Sequence, residues 1–135
     1  MKTYKANFTG RLKGAIGVFY PISTYTKGED EAAARLFLYE RFEHISCAIL
    51  DESETTLYQA CVDAGIATDS HESDLYIPDT AETRWLCKAF GRDGALLSAF
   101  TSNIDGKRWL DLPFCYAPFW EAVENRSKAR NATTG

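Results

Sequence analysis

The chain has 135 residues, of which 45% are hydrophobic and 25% are charged, and its formal net charge is −4. This composition can supply the core of one ordinary domain or two very small ones, and it argues against an intrinsically disordered chain. No apolar run approaches the roughly 20 residues that a membrane span needs, and residues 1–10 lack the apolar region of a signal peptide. We therefore expect a cytoplasmic protein that makes no contact with a membrane.

Charge is distributed unevenly along the chain. Residues 1–27 hold five bases and no acids, residues 28–82 hold fourteen acids and two bases, and residues 83–135 have a net charge of +3. If the acids of the middle segment share a face, they create a negative field that attracts basic partners and repels nucleic acid. The alternative is that these acids only solvate helix surfaces and first turns.

The first half of the chain predicts a β-β-α-β unit. Residues 3–10 alternate apolar and polar side chains with the two-residue period of a half-buried strand, and residues 18–26 are rich in strand formers. Thr26 opens a T-x-x-E capping box, which predicts a helix that runs to about Glu43. The apolar residues 46–50 predict the third strand.

The second half predicts a helix, a short strand, a helix, a β-hairpin and a C-terminal helix. The predicted elements are a helix at 54–64 capped by Ser53, a strand at 75–77, a helix capped by Asp79 or Thr80 and ending at Gly91, strands at 95–104 and 107–112, and a helix that starts at Pro118. Asp105-Gly106 is interpreted as a two-residue hairpin turn. The fold class is therefore α+β, with a ββαβ module at 1–52, an α/β module at 53–126 and a frayed tail at 127–135.

Large apolar side chains are densest in residues 104–120, which should hold the core of the second half. The C-terminal helix is expected to bury Phe119 or Trp120 together with Val123. The cysteines are single, without a C-x-x-C pair, which argues against a disulfide framework and against a zinc site of ordinary spacing. Four buried free thiols are expected, at Cys47, Cys61, Cys87 and Cys115.

Residues 69–74 contain the best candidates for metal ligands, because an imidazole and several carboxylates lie close together. They are Asp69, His71, Glu72 and Asp74. Successive residues of a strand point to opposite faces, so at most two of them converge without help from elsewhere. A hydrogen-bonded loop rim is the preferred interpretation, and neither a metal ion nor a cofactor is predicted.

A catalytic nucleophile would need a neighbouring base, and the two histidines offer few pairings. Cys47 lies three residues from His44, which is placed at a helix end, and Cys115 could meet His71 only through folding. Neither pairing forms a known motif. Asp111, between two leucines, needs a partner, and Arg108 or Arg84 is expected to supply it. The chain is therefore not predicted to be an enzyme.

Several stretches resemble small accessory proteins encoded on plasmids, phages and integrated mobile elements. The stretches are GRLKGAIGVFYPI (10–22), YERFEHIS (39–46), TLYQACVDAGI (56–66), HESDLYIP (71–78) and SNIDGKRWLDLPFCYAPFWE (102–121). The resemblance implies a mobile-element context, in which small acidic proteins block host defence. In size and charge only, the chain also resembles anti-CRISPR proteins. Some of these inhibitors present carboxylates where nucleic acid would lie.

The leading hypothesis is a non-enzymatic inhibitor that uses an acidic surface to block a basic, nucleic-acid-binding surface of a host protein or protein–nucleic-acid complex. It predicts no direct binding of nucleic acid. Tyr and Trp are enriched at interface hot spots, so two of them serve as candidate anchors. The predicted contact residues are Glu29, Asp30, Glu31, Glu52, Glu54, Asp69, Glu72 and Asp74, with the anchors Tyr76 and Trp109.

Two alternatives stay open. The first is a nucleic-acid-associated accessory protein that acts through Lys2, Lys5, Arg11 and Lys13 on the basic N-terminal strand, although a pI near 5.2 weakens affinity for phosphate. The second is a small metal-dependent or cysteine enzyme, which would bind a metal ion or carry a reactive thiol.

Overall fold

The structure is a computed structural model that describes residues 1–92 and 98–134. Two compact units divide the chain: residues 1–55 with 81–94, and residues 56–80 with 95–135. Each unit contains one antiparallel sheet together with helices, which confirms the predicted α+β class. Within the described ranges, no helix combines the length and the apolar character that crossing a membrane requires.

Eleven elements are defined in the described parts of the chain. In order they are β1 (Lys2–Leu12), β2 (Tyr20–Gly28), α1 (Glu31–Leu38), β3 (Phe42–Glu52), α2 (Leu57–Asp63), β4 (Asp69–His71), β5 (Asp74–Pro78), α3 (Ala81–Ala89), β6 (Ser98–Thr101), β7 (Arg108–Leu112) and α4 (Ala117–Thr134). The first sheet has the order β2-β1-β3, and the second has the order β4-β5-β7-β6.

The core of the first unit lies on one face of its sheet. From Tyr4 to Gly10, every second residue of β1 is buried there, which is the result of the two-residue period of a strand. The buried cluster consists of Tyr4, Ala6, Phe8, Ala34, Leu38, Phe42, Leu50 and Trp85. Trp85 belongs to α3, so this helix packs with the first unit, whereas the sequence-based division at residue 52 had grouped it with the second module.

Helix α1 is shorter than predicted at both ends. Thr26 lies in β2, where its hydroxyl donates to the Ala34 carbonyl (2.8 Å), and Asp30 is the N-cap that accepts from the Ala33 N–H (2.8 Å). The helix ends at Leu38 and not near Glu43. The residues from Phe42 onward pair with the end of β1 and so begin the third strand early.

Strand β3 is interrupted by two register shifts against β1. His44 and Cys47 both adopt a positive φ of 53° in this segment, a conformation that is uncommon for residues other than glycine. The prediction of His44 at a helix end is therefore wrong. The prediction of four buried thiols is also wrong, because Cys47 is exposed and Cys115 is half-buried, whereas Cys61 and Cys87 are buried as expected.

The second unit buries one face of its sheet with aliphatic side chains. Leu75 and Ile77 of β5 and Leu110 and Leu112 of β7 are at most 1% exposed. These residues alternate with Tyr76 and Asp111, which therefore project from the opposite, open face. This alternation confirms the predicted short strand and the predicted hairpin strand in these segments.

Helix α2 starts three residues later than predicted, and its N-cap is Thr56 and not Ser53. Its C-terminal end follows the prediction: Gly65 has a φ of +73°, and the Ile66 N–H donates to the Cys61 carbonyl (2.9 Å). This bond is the outer one of a Schellman motif, which satisfies a carbonyl that the helix leaves unpaired.

Strands β6 and β7 pair as an antiparallel hairpin, as predicted. The connection between them spans residues 102–107 and is therefore longer than the expected two-residue turn. Asp105 stabilises this loop, since its carboxylate accepts from the Lys107 N–H (2.9 Å), and Gly106 has a φ of +68°. Most of the predicted start of the first strand, residues 95–97, lies outside the described residues.

The C-terminal segment forms α4 as far as Thr134, where a frayed tail was predicted. The expected burial of Val123 is wrong, because this residue is 37% exposed, and of the two alternatives Phe119 and Trp120 the latter is 40% exposed. Phe119 is half-buried and packs edge-on against Trp120, with 5.4 Å between the ring centroids.

Candidate functional site

Three neighbouring strands of the second sheet place Asp69, Tyr76 and Asp111 side by side. Asp69 on β4 pairs with Tyr76 on β5, and Tyr76 pairs with Asp111 on β7. Residues that lie directly opposite in an antiparallel pair project from the same face, which here is the open one. We call this surface the acidic aromatic face, and its members are Asp69, Asp74, Tyr76, Phe100, Trp109 and Asp111.

Asp74 and Asp111 form a pair of interacting carboxyl groups. Asp74 lies two residues before Tyr76 on β5, so both project from the same face. Burial raises the pKa of the Asp111 carboxyl, and the negative charge of Asp74 and a hydrogen bond with its side chain raise it further. One carboxyl oxygen of Asp111, Oδ1, is buried and accepts no hydrogen bond from any residue that the structure describes. The environment therefore disfavours the ionised form of Asp111.

The arginine expected beside Asp111 has a different partner. Arg108 donates through Nε to Oδ2 of Asp79 at 2.8 Å, and the Asp79 N–H donates to the Arg108 carbonyl at 2.9 Å. Arg108 lies three residues before Asp111, an odd number, so a regular strand directs the two side chains to opposite faces. Of the two arginines expected as a partner of Asp111, Arg108 is therefore ruled out, and the charge that raises the pKa of Asp111 is that of Asp74.

Aromatic rings lie beside the carboxyl groups on the same face. Tyr76 and Phe100 pack edge-on with ring centroids 5.5 Å apart, and Phe100 lies opposite Trp109 in the β6–β7 pair. Phe100 is 41% exposed, so its ring is accessible to a partner. Burial raises the pKa of the Tyr76 hydroxyl, and the negative charges of Asp111, Asp74 and Asp69 add to this effect. The hydroxyl therefore stays neutral and can donate a hydrogen bond.

The remaining predicted contact residues do not join this face. Glu29, Asp30, Glu31, Glu52 and Glu54 belong to the first unit, and Glu72 lies in the β4–β5 turn with a φ of +52°. Several of them have local roles: Asp30 caps α1, Glu31 pairs with Arg35 at 2.8 Å, and Glu52 lies 3.8 Å from Lys2. The structure thus brings together Asp69, Asp74, Tyr76 and Trp109 from the predicted set.

Two members of the acidic aromatic face were missed by sequence reasoning. The sequence predicts an arginine partner for Asp111 and assigns no role to Phe100. The signal was present in the segments DLYIP (74–78) and RWLDL (108–112), whose alternation places every second side chain on one face. Their relative register could not be obtained from the alternation, because pairing across strands depends on tertiary structure.

The candidate metal ligands are placed on and around a tight hairpin. His71 pairs with Asp74 across β4 and β5, while Glu72 lies in the turn between them. Within the described ranges, no three side chains of His, Cys, Asp or Glu are arranged to hold a metal ion. What these residues share is therefore their charge and their place on one hairpin.

We expect Asp111→Asn to stabilise the protein at neutral pH by about 1 kcal/mol, because it removes repulsion from Asp74 and supplies an amide donor. The pKa of Asp111 is raised on folding, so its contribution to stability is largest in acid and is lost as pH rises through the raised pKa. The stability gap between variant and wild type should therefore close towards pH 4. Urea denaturation from pH 4 to 7.5 measures it, with Asp51→Asn as the control. Lower stability of Asp111→Asn at pH 7 would contradict the assignment.

Comparisons with known proteins found no matching family model, no matching curated protein and no matching solved structure.

Proposed function

We propose that this chain is a non-enzymatic binding protein of a mobile element, whose acidic aromatic face covers a basic, nucleic-acid-binding surface of a host protein. The observation that carries this proposal is the row of Asp69, Tyr76 and Asp111 across three strands, with Asp74 beside it. Such a row offers carboxylates to lysine and arginine side chains in an arrangement that the sheet holds fixed.

The aromatic rings of the acidic aromatic face also favour a partner with a basic surface. A lysine ammonium or arginine guanidinium is attracted to the face of an aromatic ring, and arginine also stacks on it. Lys107 already makes this kind of contact, since its Nζ lies 5.6 Å from the centroid of the Trp109 ring. A partner cation can use Phe100 and Tyr76 in the same way while it approaches the carboxylates.

The geometry of the first sheet favours this proposal over nucleic-acid binding. Three bases of β1 lie opposite or near acids of β3: Lys5 pairs in register with Asp51, Arg11 forms an ion pair with Glu43 at 2.7 Å, and Lys2 lies 3.8 Å from Glu52. Neighbouring carboxylates offset the positive charge that a phosphate backbone would require. The basic N-terminal strand is therefore a weaker candidate than its sequence implied.

The resemblance to accessory proteins of mobile elements supplies the biological context of the proposal. A small protein that covers a nucleic-acid-binding surface would protect the element by preventing a host factor from holding its target. Because the interaction depends on charge, it should weaken as salt screens the carboxylates. Its specificity would come from the aromatic anchors, which are much less affected by salt.

The proposal is tested by comparing two variants with the same change in net charge. Asp69→Lys/Asp74→Asn alters the acidic aromatic face, and Glu29→Lys/Asp51→Asn makes the same changes on exposed acids of the first unit. Tagged proteins are used in pull-downs from nuclease-treated bacterial lysate at two salt concentrations. Affinity for a captured protein should fall about tenfold or more for the first variant only.

Two outcomes would contradict the proposal. Equal capture by both variants would show that the acidic aromatic face does not contact the partner. In a parallel pull-down from untreated lysate, recovery of nucleic acid that is lost when Lys5 and Lys13 are neutralised would instead support the accessory role of the basic strand.

A further inference from the structure

We propose that a groove in the first unit binds a free α-amino acid with an apolar side chain. The groove has a volume of about 280 Å³ and is lined by residues of β2, of α3 and of the turn before β3. Its apolar lining includes Leu12, Ile22, Phe42 and Trp85, and its charged lining consists of Arg41 and Glu82. All of these residues belong to the first unit, so this inference does not depend on the function proposed for the acidic aromatic face.

The floor of the groove is apolar and can contact a hydrophobic side chain. Phe42 and Trp85 are 5% and 4% exposed, and their rings pack edge-on with centroids 5.7 Å apart. Ile22 is half-buried and packs against the same core. An apolar cavity of about 150 Å³ is large enough for benzene. The groove therefore has room for one apolar side chain together with the charged groups of an amino acid.

Arg41 supplies a fixed positive charge beside this floor. Its Nη1 donates to the Ala81 carbonyl at 2.9 Å, and its guanidinium carbon lies 5.6 Å from the centroid of the Phe42 ring. A guanidinium has five N–H donors, and in the described parts of the chain this one forms no further hydrogen bond or ion pair. Burial lowers the pKa of Arg41, but an arginine stays charged at neutral pH. Donors held in this way suit the two oxygens of a carboxylate.

Glu82 supplies a negative charge to the same groove. It is exposed in the first turn of α3, and its charge opposes the effect of burial on the pKa of Arg41. Among the described residues, however, no ion pair joins the two side chains. A ligand with a single charge would be attracted by one of them and repelled by the other. A zwitterion complements both, with its carboxylate at Arg41 and its ammonium at Glu82.

The outer edge of β2 adds backbone groups that can orient the ligand. The Trp85 indole N–H donates to the Tyr25 carbonyl at 2.9 Å, so Tyr25 directs its backbone groups away from β1. Backbone groups alternate between the two edges of a strand, and Ser23 therefore directs its N–H and C=O to the same outer edge, where it lines the groove. Small-molecule sites commonly combine an apolar lining with a few polar groups of this kind.

The experiment follows the full ¹⁵N-labelled chain by NMR while L-phenylalanine is added. We expect chemical-shift changes that concentrate at the groove and saturate with a Kd of about 1 mM. Phenylalaninamide lacks the carboxylate and should bind about tenfold more weakly, as should phenylalanine to Arg41→Gln. N-acetylphenylalanine lacks the ammonium and should bind about threefold more weakly, as should phenylalanine to Glu82→Gln, because the partner carboxylate is exposed.

Arg35→Gln and Glu31→Gln are the matched controls. Arg35 also donates to a backbone carbonyl of the first unit, that of Ala48, but neither residue lines the groove, so both variants should keep the wild-type Kd. Absence of saturable shifts with phenylalanine, or equal binding of phenylalanine and phenylalaninamide, would overturn the inference. Wild-type affinity in both Arg41→Gln and Glu82→Gln would also overturn it. If Arg41→Gln fails to fold, the two modified ligands and Glu82→Gln still decide between these results.

Discussion

Replacing Trp85 with alanine is expected to lower the free energy of unfolding by about 3–5 kcal/mol, the range found for large aromatic residues in cores. Trp85 is 4% exposed and packs against two aromatic rings, with centroids 5.0 Å from Phe37 and 5.7 Å from Phe42. Its indole N–H also donates to the Tyr25 carbonyl at 2.9 Å. The alanine variant would lose these contacts and leave a cavity. Urea denaturation of the full chain measures the effect.

Two further substitutions of tryptophan separate the contributions of the ring, the hydrogen bond and the burial to this loss of stability. Trp85→Phe keeps a ring in the core but removes the donor to the Tyr25 carbonyl, so a smaller loss of about 1–3 kcal/mol is expected. Trp120→Ala removes an indole that is 40% exposed and should change stability far less than Trp85→Ala. If Trp120→Ala lost as much stability as Trp85→Ala, Trp120 would have to be far more buried than it is in the structure.

The role of Trp85 also shows what sequence patterns do not convey. The periodicity of α3 correctly predicted a helix with Trp85 and Leu86 on its inner side. Nothing in that pattern indicates which sheet the inner side will cover, because the hydrophobic effect has no direction. In the structure α3 packs with β2, where Trp85 bonds to a residue 60 positions earlier in the chain, so that the first unit combines two separate segments.

Local rules succeeded where the backbone interacts with itself over a few residues. Gly65 and Ile66 close α2 as predicted, since a Schellman motif involves only neighbouring residues. The local rules failed where a distant strand pairs with residues that they assign to a helix. Residues 42–45 continue a helical pattern, but pairing with the end of β1 satisfies their backbone and makes them part of β3.

The acidic aromatic face was predictable in composition but not in arrangement. Asp69, Asp74, Tyr76 and Trp109 were identified from charge and residue type. The approach of Asp74 to Asp111 depends on the pairing of β5 with β7, whose sequences lie more than thirty residues apart. Sequence reasoning expected an arginine beside Asp111, because a buried carboxylate usually has a cation or a donor. In the structure, Arg108 pairs with Asp79 instead, and the negative charge of Asp74 helps to raise the pKa of Asp111.

Replacing Gly28 with alanine is expected to destabilise the first unit by about 2–3 kcal/mol. A Cβ atom at this position would overlap the Ala34 backbone nitrogen and lie 2.9 Å from both the Ala33 carbonyl carbon and the Asp30 oxygen. All three are backbone atoms of the first turns of α1 or its cap, so they cannot move without shifting the helix. Thermal or urea denaturation of the full chain measures the loss.

Gly10→Ala is the matched comparison for this prediction. Its Cβ would lie 3.0 Å from the Glu43 carbonyl oxygen and 3.4 Å from the Phe8 ring, so a small adjustment should suffice. Equal losses at both positions would contradict the close approach of α1 to the end of β2.

The close approach of α1 to the end of β2 also explains why the predicted capping box was misplaced. The chain needs Gly28 as the last residue of β2 so that α1 can begin within three residues, which leaves Asp30 to cap the helix and Thr26 to bond to it from the strand.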